Sequence, residues 1–345
     1  MIPTPSRPSG AVPAAIAQRF APAPRESGPV VSVCIVNWNC RDHLRDCLAS
    51  LFDRAQGVPF EVIVVDNNST DGAAEIVAAA FPTVRLYRNP VNLGFSRANN
   101  QAAAVARGDY FFFLNNDTIV PAMTLARLVN YAKAHPRVGM IGPRLIGAHG
   151  GDQISYRRKP TLNALFHRIG LLRWTGLFRR AYYNYRRQTF HPDGIKTVEA
   201  LMGAAVFLPR EAFERSGRWD ETYPFGGEDL DLSAQVGRRY QIVYHGHVSI
   251  VHYGRVSSRS NFGYVAGNVA IGYVHYFRKA GESRLRLLAY KTLVTLDAPI
   301  QLLGKLAQSA LRRLTSKRTD AARSMESVRG FWHFLSRDLI RFWRA

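Results

Sequence analysis

Three apolar runs, each ended by a polar residue and followed by a helical segment, constrain the fold of this chain most strongly. The runs are Val30–Val36, Phe60–Val65 and Tyr110–Leu114. Runs without alternation of polar and apolar residues are typical of strands buried on both faces of a parallel sheet. A helical segment over 44–52 separates the first two runs, and helical segments over 73–80 and 95–107, with a short strand over 84–87 between them, separate the second run from the third. The alternation predicts an α/β fold, with an open, mostly parallel sheet flanked by helices.

Polar residues follow these strands at one predicted edge of the sheet. Asn37 and Asn39 end the first strand, Asp66–Ser69 the second, and Asn115–Asp117 the strand over 110–114. Any one of these loops is explained by turn chemistry, because Asn, Asp and Ser favour turns. In open α/β sheets, however, ligands bind beyond the carboxyl ends of the strands. Three such ends together therefore predict a ligand site.

Known phosphate-binding loops are missing from these strand ends, since the sequence has neither GxGxxG nor the Walker A pattern there. A phosphate-bearing ligand would then most simply be held by a divalent metal. Mg²⁺ needs only one or two carboxylates when substrate phosphates and water complete its shell. Asp117, at the end of an apolar strand, is the candidate ligand.

The stretch Gly226–Leu232 holds three carboxylates in four residues, on Glu228, Asp229 and Asp231. Like charges this close repel unless a metal, a cation or a shared proton compensates them. Carboxylates beside a flexible Gly pair suit a general base. The alternative is a solvated helix start, where acidic residues complement the partial positive charge of the N-terminus. This stretch alone leaves both interpretations open.

The formal net charge of +21 is concentrated in two segments. Residues 157–187 hold nine Arg or Lys and no acid, and residues 278–345 hold fifteen against five acids. Nucleic acid and anionic lipid both suit such surfaces. Leu, Phe, Trp and Ile are interleaved in amphipathic order, which favours an anionic membrane surface. The alternative for the C-terminal helices is packing on the rest of the chain.

The first residues and the cysteines indicate a cytoplasmic protein. Residues 1–29 are rich in Pro, Ala and Ser and predict a disordered leader, not a signal peptide. No stretch reaches about 18 consecutive apolar residues, so no transmembrane helix is predicted. Cys34, Cys40 and Cys47 form no CxxC pair, which suggests a reducing compartment.

Five motifs in order carry a resemblance to a known family. They are VCIVNWN over 33–39, VDNNSTDG over 65–72, NLGFSRANN over 92–100, LNNDT over 114–118, and GAA over 203–205 running on to GEDLDL over 227–232. In this set the chain resembles the inverting glycosyltransferases of family 2, which have the GT-A fold. The rhamnosyltransferase-like branch is the most similar, over roughly residues 30–280.

The resemblance implies roles for several of these residues. Asp66 is expected to accept a hydrogen bond from the pyrimidine base of a sugar nucleotide. Asp117 is expected to bind the metal, and Asn115 departs from the family, which has an acid there. Asp229 is the expected general base for in-line displacement with inversion. Its neighbour Glu228 is expected to orient it, cap the helix or bind the acceptor.

Further site residues follow from the same resemblance. His252 ends a predicted strand over 240–252, where the family often places a histidine near diphosphate and metal; a structural histidine is the alternative. Zinc bound with His245 and His247 is disfavoured, because 245 and 252 face opposite sides of a regular strand. The other predicted nucleotide-sugar contacts are Asn37, Asn39, Asn68, Asn92, Gly94, Asn99 and Asn116. The predicted acceptor contacts are Trp219, Asp220 and Asp231, with a core aromatic as the alternative for Trp219.

The sequence thus predicts a transferase with Mg²⁺ or Mn²⁺ as cofactor and a dTDP- or UDP-sugar as donor, dTDP-L-rhamnose first. The expected acceptor is lipid-linked or a polysaccharide of the cell envelope, at the cytoplasmic membrane face. The predicted domains are a leader over 1–29, a GT-A catalytic domain over 30–280 and membrane-associating helices over 281–345. Within the catalytic domain, 30–150 is the nucleotide-sugar half and 151–280 the acceptor half, with the basic insertion 157–187.

Three rival classes remain at this stage. The net charge motivates a nucleic-acid-binding protein, although recognisable nucleic-acid motifs are missing and no nucleic acid is expected as partner. Asn115 motivates a non-catalytic, membrane-bound scaffold. A nucleotidyltransferase is disfavoured, because 37–39 read Asn-Trp-Asn where that class has a Gly-rich loop.

Overall fold

The computed structural model describes residues 28–186, 190–223, 225–254, 262–314 and 318–345. The predicted leader over 1–29 lies almost wholly outside them. The described residues form two compact units. The first comprises 28–157, 190–221 and 229–254, and the second comprises 158–186, 222–223, 225–228, 262–314 and 318–345. The basic segment after residue 157 therefore groups with the C-terminal helices.

Strands and helices alternate along the first part of the chain as predicted. Up to residue 157 the elements are β1 (Val31–Asn37), α1 (Arg41–Phe52), β2 (Phe60–Asp66), α2 (Ala73–Ala80), β3 (Arg85–Arg88), α3 (Phe95–Val105), β4 (Tyr110–Asn115), β5 (Thr118–Ile119), α4 (Thr124–Ala134), β6 (Val138–Ile146), β7 (Asp152–Gln153) and β8 (Tyr156–Arg157). Then follow α5 (Leu162–Phe166), α6 (Gly170–Thr175), α7 (Arg179–Arg186), β9 (Ile195–Thr197), β10 (Ala200–Leu201), β11 (Ala205–Pro209) and α8 (Arg210–Arg215). The last are α9 (Glu228–Val236), β12 (Gln241–His252), α10 (Phe262–Lys279), α11 (Arg284–Leu314), α12 (Arg318–His333), a π-helical turn (Phe334–Asp338) and α13 (Leu339–Arg344).

The first unit is built on one mixed sheet of strand order β3-β2-β1-β4-β11-β6-β12-β5. β1 lies between β2 and β4 and pairs with both in parallel, whereas β11 runs antiparallel to β4. In addition β7 pairs with β6 and β9 with β12, and β8 and β10 form a separate two-stranded sheet. The predicted α/β architecture is confirmed.

Both faces of the sheet are buried, which explains the uninterrupted apolar runs. Val33 and Ile35 of β1 pack into one core, and Cys34 between them packs into the other. In β4, Phe112 joins the first core and its neighbour Phe113 the second. Successive side chains of a strand point to opposite faces, so two cores require apolar residues at every position.

The structure differs from the prediction in the middle of the chain. The apolar stretch 197–208, which ends before Pro209, predicts one strand, but the chain forms three short strands there, β9, β10 and β11. β9 pairs with β12 in the large sheet, β10 pairs with β8 in the two-stranded sheet, and β11 returns to the large sheet beside β4. β6 was absent from the prediction. It contains Gly139, Gly142 and Pro143, residues that are poor strand formers.

The second unit is helical. The buried carboxylate of Asp338 ties its last turns together, 3.1 Å from His333 Nδ1 and 2.8 Å from Arg341 Nη1. Three apolar side chains of α11 are exposed, those of Leu285, Ile300 and Leu303. No other described part of the second unit covers them. In the described part of the chain, no helix has the length and hydrophobicity needed to cross a membrane.

Candidate active site

The strand ends meet as the sequence predicted. In the sheet register Asn37 of β1 lies opposite Asp66 of β2, and Val36 lies opposite Asn115 of β4. The residues that follow these strands are therefore brought to one edge of the first unit. Asn37, Asp66, Asn116 and Asp117 are all buried there.

A hydrogen-bond network holds the Asp66 carboxylate in a fixed orientation. Its Oδ1 accepts from Asn37 Nδ2 at 3.0 Å and from Ser69 Oγ at 2.6 Å. Its Oδ2 accepts from the Ser69 backbone N–H at 2.9 Å. Asn37 Oδ1 in turn accepts from Asn116 Nδ2 at 2.7 Å. A carboxylate has about four acceptor positions, so these three bonds leave Asp66 room for about one more donor.

The flanking loops have left-handed backbone at two predicted contact residues. Asn39 and Asn68 have φ of 51° and 63°, a conformation that Asn tolerates better than most residues. Asn39 Oδ1 accepts from the Thr70 N–H at 2.8 Å, whereas the Asn68 side chain is exposed. Both side chains lie on the strand-end loops, and their contact with a nucleotide sugar stays a prediction.

The predicted contacts before and within α3 are engaged locally. Asn92 Oδ1 accepts from the Gly94 N–H at 2.9 Å and shapes the turn into the helix. Asn99 is buried and donates to the Phe95 carbonyl at 3.1 Å on its own helix. Arg97 forms an ion pair with Glu221 at 2.9 Å. The structure thus gives Asn99 a partner on its own helix, and contact of Asn92, Gly94 and Asn99 with a nucleotide sugar stays a prediction.

Asp117 and His252 are brought together although 135 positions separate them. The end of β12 pairs with β5, placing His252 opposite Thr118, and the Tyr253 N–H donates to the Asp117 carbonyl at 2.9 Å. His252 Nε2 then lies 3.4 Å from Asp117 Oδ1. Both side chains are largely buried.

Gln153 determines which nitrogen of His252 carries a proton. Its Nε2 donates to the His252 carbonyl at 2.7 Å, so its Oε1 faces His252 Nδ1, also at 2.7 Å. Nδ1 is therefore the donor, and neutral His252 directs the lone pair of Nε2 toward the Asp117 carboxylate. Nε2 is buried and has no hydrogen-bond partner among the described residues.

Two acceptors that face each other in a buried site need a cation between or beside them. A proton on Nε2 satisfies this need, and so does a divalent metal bound by Asp117 and His252. The pair supplies two ligands of the type that such metals use when a substrate and water supply the rest. No cluster of three or more metal-binding His, Cys, Asp or Glu side chains occurs in the described ranges. Asn115, the first residue of the predicted metal motif, ends β4 and is partly exposed.

The Asp229 carboxylate is held by three donors. Arg157 Nη2 lies 2.7 Å from its Oδ1, which also accepts from the Leu230 N–H at 2.7 Å. The Gly203 N–H donates to Oδ2 at 3.3 Å. A Cβ on residue 203 would lie 3.2 Å from Asp229 Cβ, so a larger residue here would displace the Asp229 side chain by a few tenths of an ångström. The motif residues Gly203 and Asp229, 26 positions apart, are thus in contact.

The two clusters lie at the same end of the sheet. β11 begins at Ala205, two residues after Gly203, and the Ala204 carbonyl accepts from the Asn115 N–H at 2.9 Å. Gly203 contacts Asp229 on one side, and Asn115 leads into Asp117 on the other. The general-base candidate Asp229 and the cation-binding candidate Asp117 therefore lie on either side of the point where β11 begins to pair with β4.

The remaining acidic and aromatic candidates range from partly exposed to fully buried. Glu228 is the first residue of α9, and Asp231 is buried one turn further on. Asp220 is partly exposed. The Trp219 side chain is only 1% exposed and packs edge-on against Phe113. Its assignment to the acceptor stays a prediction, and this burial favours the alternative, a core aromatic.

Cys47 and His245 are buried titratable residues that are not candidates for catalysis. Burial raises the pKa of the Cys47 thiol to about 12, so it is not a nucleophile at neutral pH. Burial also lowers the pKa of His245, which packs edge-on against Tyr131. His245 is therefore a neutral core residue near neutral pH.

Arg157, Gln153 and Ser69 are site residues that the sequence did not single out. Arg157 counted only as the first cation of the basic segment. It lies 72 positions before Asp229, and no local pattern links them. Ser69 was part of a motif but had no assigned role, and it anchors both Asp66 and Asn37.

The chain is similar to known proteins in sequence and in fold. The family model described as Glycosyl transferase family 2 matches residues 32–196. Over 223 residues the chain is 30% identical to an N-acetylglucosaminyl-diphospho-decaprenol L-rhamnosyltransferase of Mycobacterium tuberculosis, covering 61% of this chain and 71% of that protein. Over 249 residues it is 26% identical to the O-antigen biosynthesis protein RfbC of Myxococcus xanthus, covering 69% of this chain and 18% of that protein.

Among solved structures, GalNAc-T7 with UDP, GalNAc and Mn²⁺ superposes with a TM-score of 0.51 at 17% identity. The match covers 72% of this chain and 48% of the other. This likeness is one of fold, and it agrees with the GT-A architecture expected from the motifs.

Proposed function

The chain belongs to glycosyl transferase family 2 and is of the rhamnosyltransferase-like type, and on this premise we propose that it is an inverting, metal-dependent L-rhamnosyltransferase. The proposed donor is dTDP-L-rhamnose, and the proposed acceptor is a lipid-linked or polysaccharide glycan of the cell envelope. One observation carries the proposal. The Asp229 carboxylate is oriented by Arg157 and Gly203 at the sheet end that also holds Asp117 and His252.

The strand-end network supports binding of the donor base. Asp66 is fixed by Asn37 and Ser69 and keeps about one acceptor position open. The N3–H of a pyrimidine is a single donor of the matching kind. Guanine presents two neighbouring donors, N1–H and N2–H, and would need two open acceptor positions. We therefore expect the site to prefer dTDP and UDP over GDP.

Asp117 and His252 would hold the metal, Mg²⁺ or Mn²⁺. A bound divalent cation neutralises charge on the departing diphosphate. Asn115 offers only a neutral amide oxygen where the family has an acid, so fewer charged ligands are available. His252, oriented by Gln153, supplies the second protein ligand in this proposal.

Asp229 acts as the general base. It takes the proton from the acceptor hydroxyl while that oxygen forms a bond to the anomeric carbon of the sugar. The bond from this carbon to the diphosphate oxygen breaks, and the nucleoside diphosphate leaves with the electron pair. One in-line displacement inverts the anomeric configuration. Oδ1 already accepts from Arg157 and from the Leu230 N–H, whereas Oδ2 accepts only from the Gly203 N–H, so we expect the remaining lone pair of Oδ2 to face the acceptor.

The acceptor assignment rests on the similarity to the mycobacterial relative, whose name specifies a diphospho-decaprenol substrate. The exposed apolar residues of the second unit and its excess of arginine support peripheral contact with an anionic membrane, at the cytoplasmic face.

A transfer assay tests the proposal. Purified protein is incubated with dTDP-L-rhamnose, Mn²⁺ and a GlcNAc-diphospholipid, and the product is identified by mass spectrometry. Asp229→Asn is expected to lower turnover about 100- to 10,000-fold, because the amide cannot take a proton. The matched control Asp53→Asn changes an exposed carboxylate and should keep full turnover. Equal turnover in both variants would refute the base assignment.

A further inference from the structure

The second unit contains a cavity of about 560 Å³ with an apolar interior. Its walls come from the segment around α6 and from α10, α11 and α12. Leu165, Ile169, Tyr290 and Phe334 line it and are buried. Its volume lies within the range of about 300–1,000 Å³ that is typical of small-molecule sites.

Three exposed residues form the rim of this cavity. They are Arg168, Arg173 and Trp174, and the Trp174 side chain is 94% exposed. The guanidinium of Arg168 lies 6.0 Å from the ring centroid of Tyr273, which also lines the cavity. Neither arginine forms an ion pair with any carboxylate in the described part of the chain. An apolar interior thus meets two guanidinium groups without a carboxylate partner at its opening.

One acid, Asp297, lines the cavity together with these two arginines, so the lining keeps a formal excess of positive charge. Asp297 is buried, and its oxygens accept from the Gly170 N–H at 3.0 Å and the Leu171 N–H at 3.2 Å. The amide of Gln301 approaches the same carboxylate at 3.3 Å. The contacts of Asp297 are therefore made with neutral donors at the start of α6 and with Gln301, and no ion pair with Arg168 or Arg173 occurs among the described residues, so both guanidiniums stay available to a phosphate.

The surface beside the cavity is apolar and exposed. Leu171 and Leu177 lie on either side of Trp174 in the chain, and Ile300 follows the lining residue Ala298 on α11. Exposed apolar side chains beside arginines are typical of segments that lie in a membrane interface. On a membrane surface, such side chains would place the cavity beside the hydrocarbon region of the bilayer.

We propose that this cavity binds the hydrocarbon tail of a polyprenyl diphosphate, with its diphosphate at Arg168 and Arg173. Two guanidiniums at one opening match two adjacent phosphates, since arginine pairs with phosphate oxygens through paired N–H donors. A phospholipid offers one phosphate to this rim and is the weaker match. The inference rests on the proposed function, because it gives the lipid-linked acceptor a tail-binding site.

The test uses the full chain and geranylgeranyl diphosphate, titrated below its micelle concentration and followed by calorimetry. Geranylgeraniol and inorganic diphosphate are titrated as the separate halves of the probe. Wild-type protein should bind the intact probe at least ~10-fold more tightly than either half, because the apolar and charged contacts then act together. Binding no tighter than that of inorganic diphosphate would overturn the proposal.

Two variants and a control locate the site. Ala270→Phe fills the cavity from its wall, and Ala280→Phe places the same side chain at an exposed position beyond α10. The first should weaken binding at least ~10-fold and the second should leave it unchanged. Arg173→Gln, at an exposed position where folding is not at risk, should weaken binding of the diphosphate but not of geranylgeraniol. Equal affinity of wild type, Ala270→Phe and Arg173→Gln would overturn the assignment.

A competition experiment separates a prenyl diphosphate site from a phospholipid site, and a nucleotide titration separates failure of this proposal from failure of the proposed function. Phosphatidylglycerol vesicles that displace the probe at equal lipid concentration would show a phospholipid site and overturn the diphosphate assignment. The same proteins are also titrated with dTDP and Mn²⁺. Nucleotide binding without prenyl diphosphate binding refutes the cavity proposal and leaves the proposed function in place. The reverse result refutes the proposed function and leaves the cavity with a lipid ligand.

Discussion

Gly203→Ala tests whether the position of Asp229 controls turnover. The added Cβ would lie 3.2 Å from Asp229 Cβ and 3.9 Å from its Cγ and Oδ2. The first distance is a few tenths of an ångström shorter than an ordinary contact, so the carboxylate must shift. The 3.3 Å bond from the Gly203 N–H to Oδ2 would then lengthen. A misplacement of about 1 Å costs roughly 100-fold in rate, so this smaller shift should lower kcat about 10-fold.

The assay is steady-state transfer with the donor saturating, together with calorimetry of dTDP binding. We expect kcat to fall while nucleotide affinity stays the same, because Asp66 is held by Asn37 and Ser69, whereas Gly203 holds Asp229. Gly151→Ala is the matched control, since a Cβ there meets nothing within 4 Å. In an Asp229→Asn background, Gly203→Ala should cost nothing further. An equal loss in both backgrounds would refute the reasoning, because the effect would not act through the base.

Three further predictions concern neighbouring groups. Arg157→Gln should lower kcat up to ~100-fold with little change in donor KM, since it frees the orientation of Asp229; unchanged kcat in initial-rate assays would contradict this role. His252→Gln should raise the Mn²⁺ concentration needed for half-maximal activity about 10-fold, as measured by metal titration, and an unchanged requirement would remove His252 from the metal site. His245→Asn should flatten the acid side of the stability profile. Burial lowers the pKa of folded His245, so below about pH 6.5 the unfolded state binds more protons and acid favours unfolding. The exposed His247→Asn serves as control in thermal melts between pH 5 and 8, and equal slopes for both variants would count against this reasoning.

Much of the fold was predictable because local signals agree with it. The apolar runs of β1, β2 and β4 admit few alternatives to a doubly covered sheet, and their polar ends fall on one edge. Asn37 and Asp66 could therefore be placed together from the sequence. Their contact requires only that adjacent parallel strands end in register.

The remainder depends on contacts that no local pattern encodes. Arg157 meets Asp229 only because β8 pairs with β10, which precedes Gly203. Gln153 orients His252 across 99 positions. β6 escaped prediction because Gly139, Gly142 and Pro143 weaken its strand pattern, and its pairing with β11 and β12 supplies the missing stability. Pairing with distant strands also divides the stretch 197–208 into three strands, since β9 pairs with β12, β10 with β8 and β11 with β4.

The central claim is that the strand-end cluster binds a pyrimidine nucleotide sugar with a divalent metal. Thermal shift of the full chain against dTDP, UDP and GDP, with and without Mn²⁺, tests it most directly, because a ligand of the native state raises the Tm. The account predicts a Mn²⁺-dependent rise with dTDP or UDP, a smaller rise with GDP, and loss of the response in a folded Asp66→Ala variant. No rise with any nucleotide in folded wild-type protein, or an equal rise in Asp66→Ala, would contradict it.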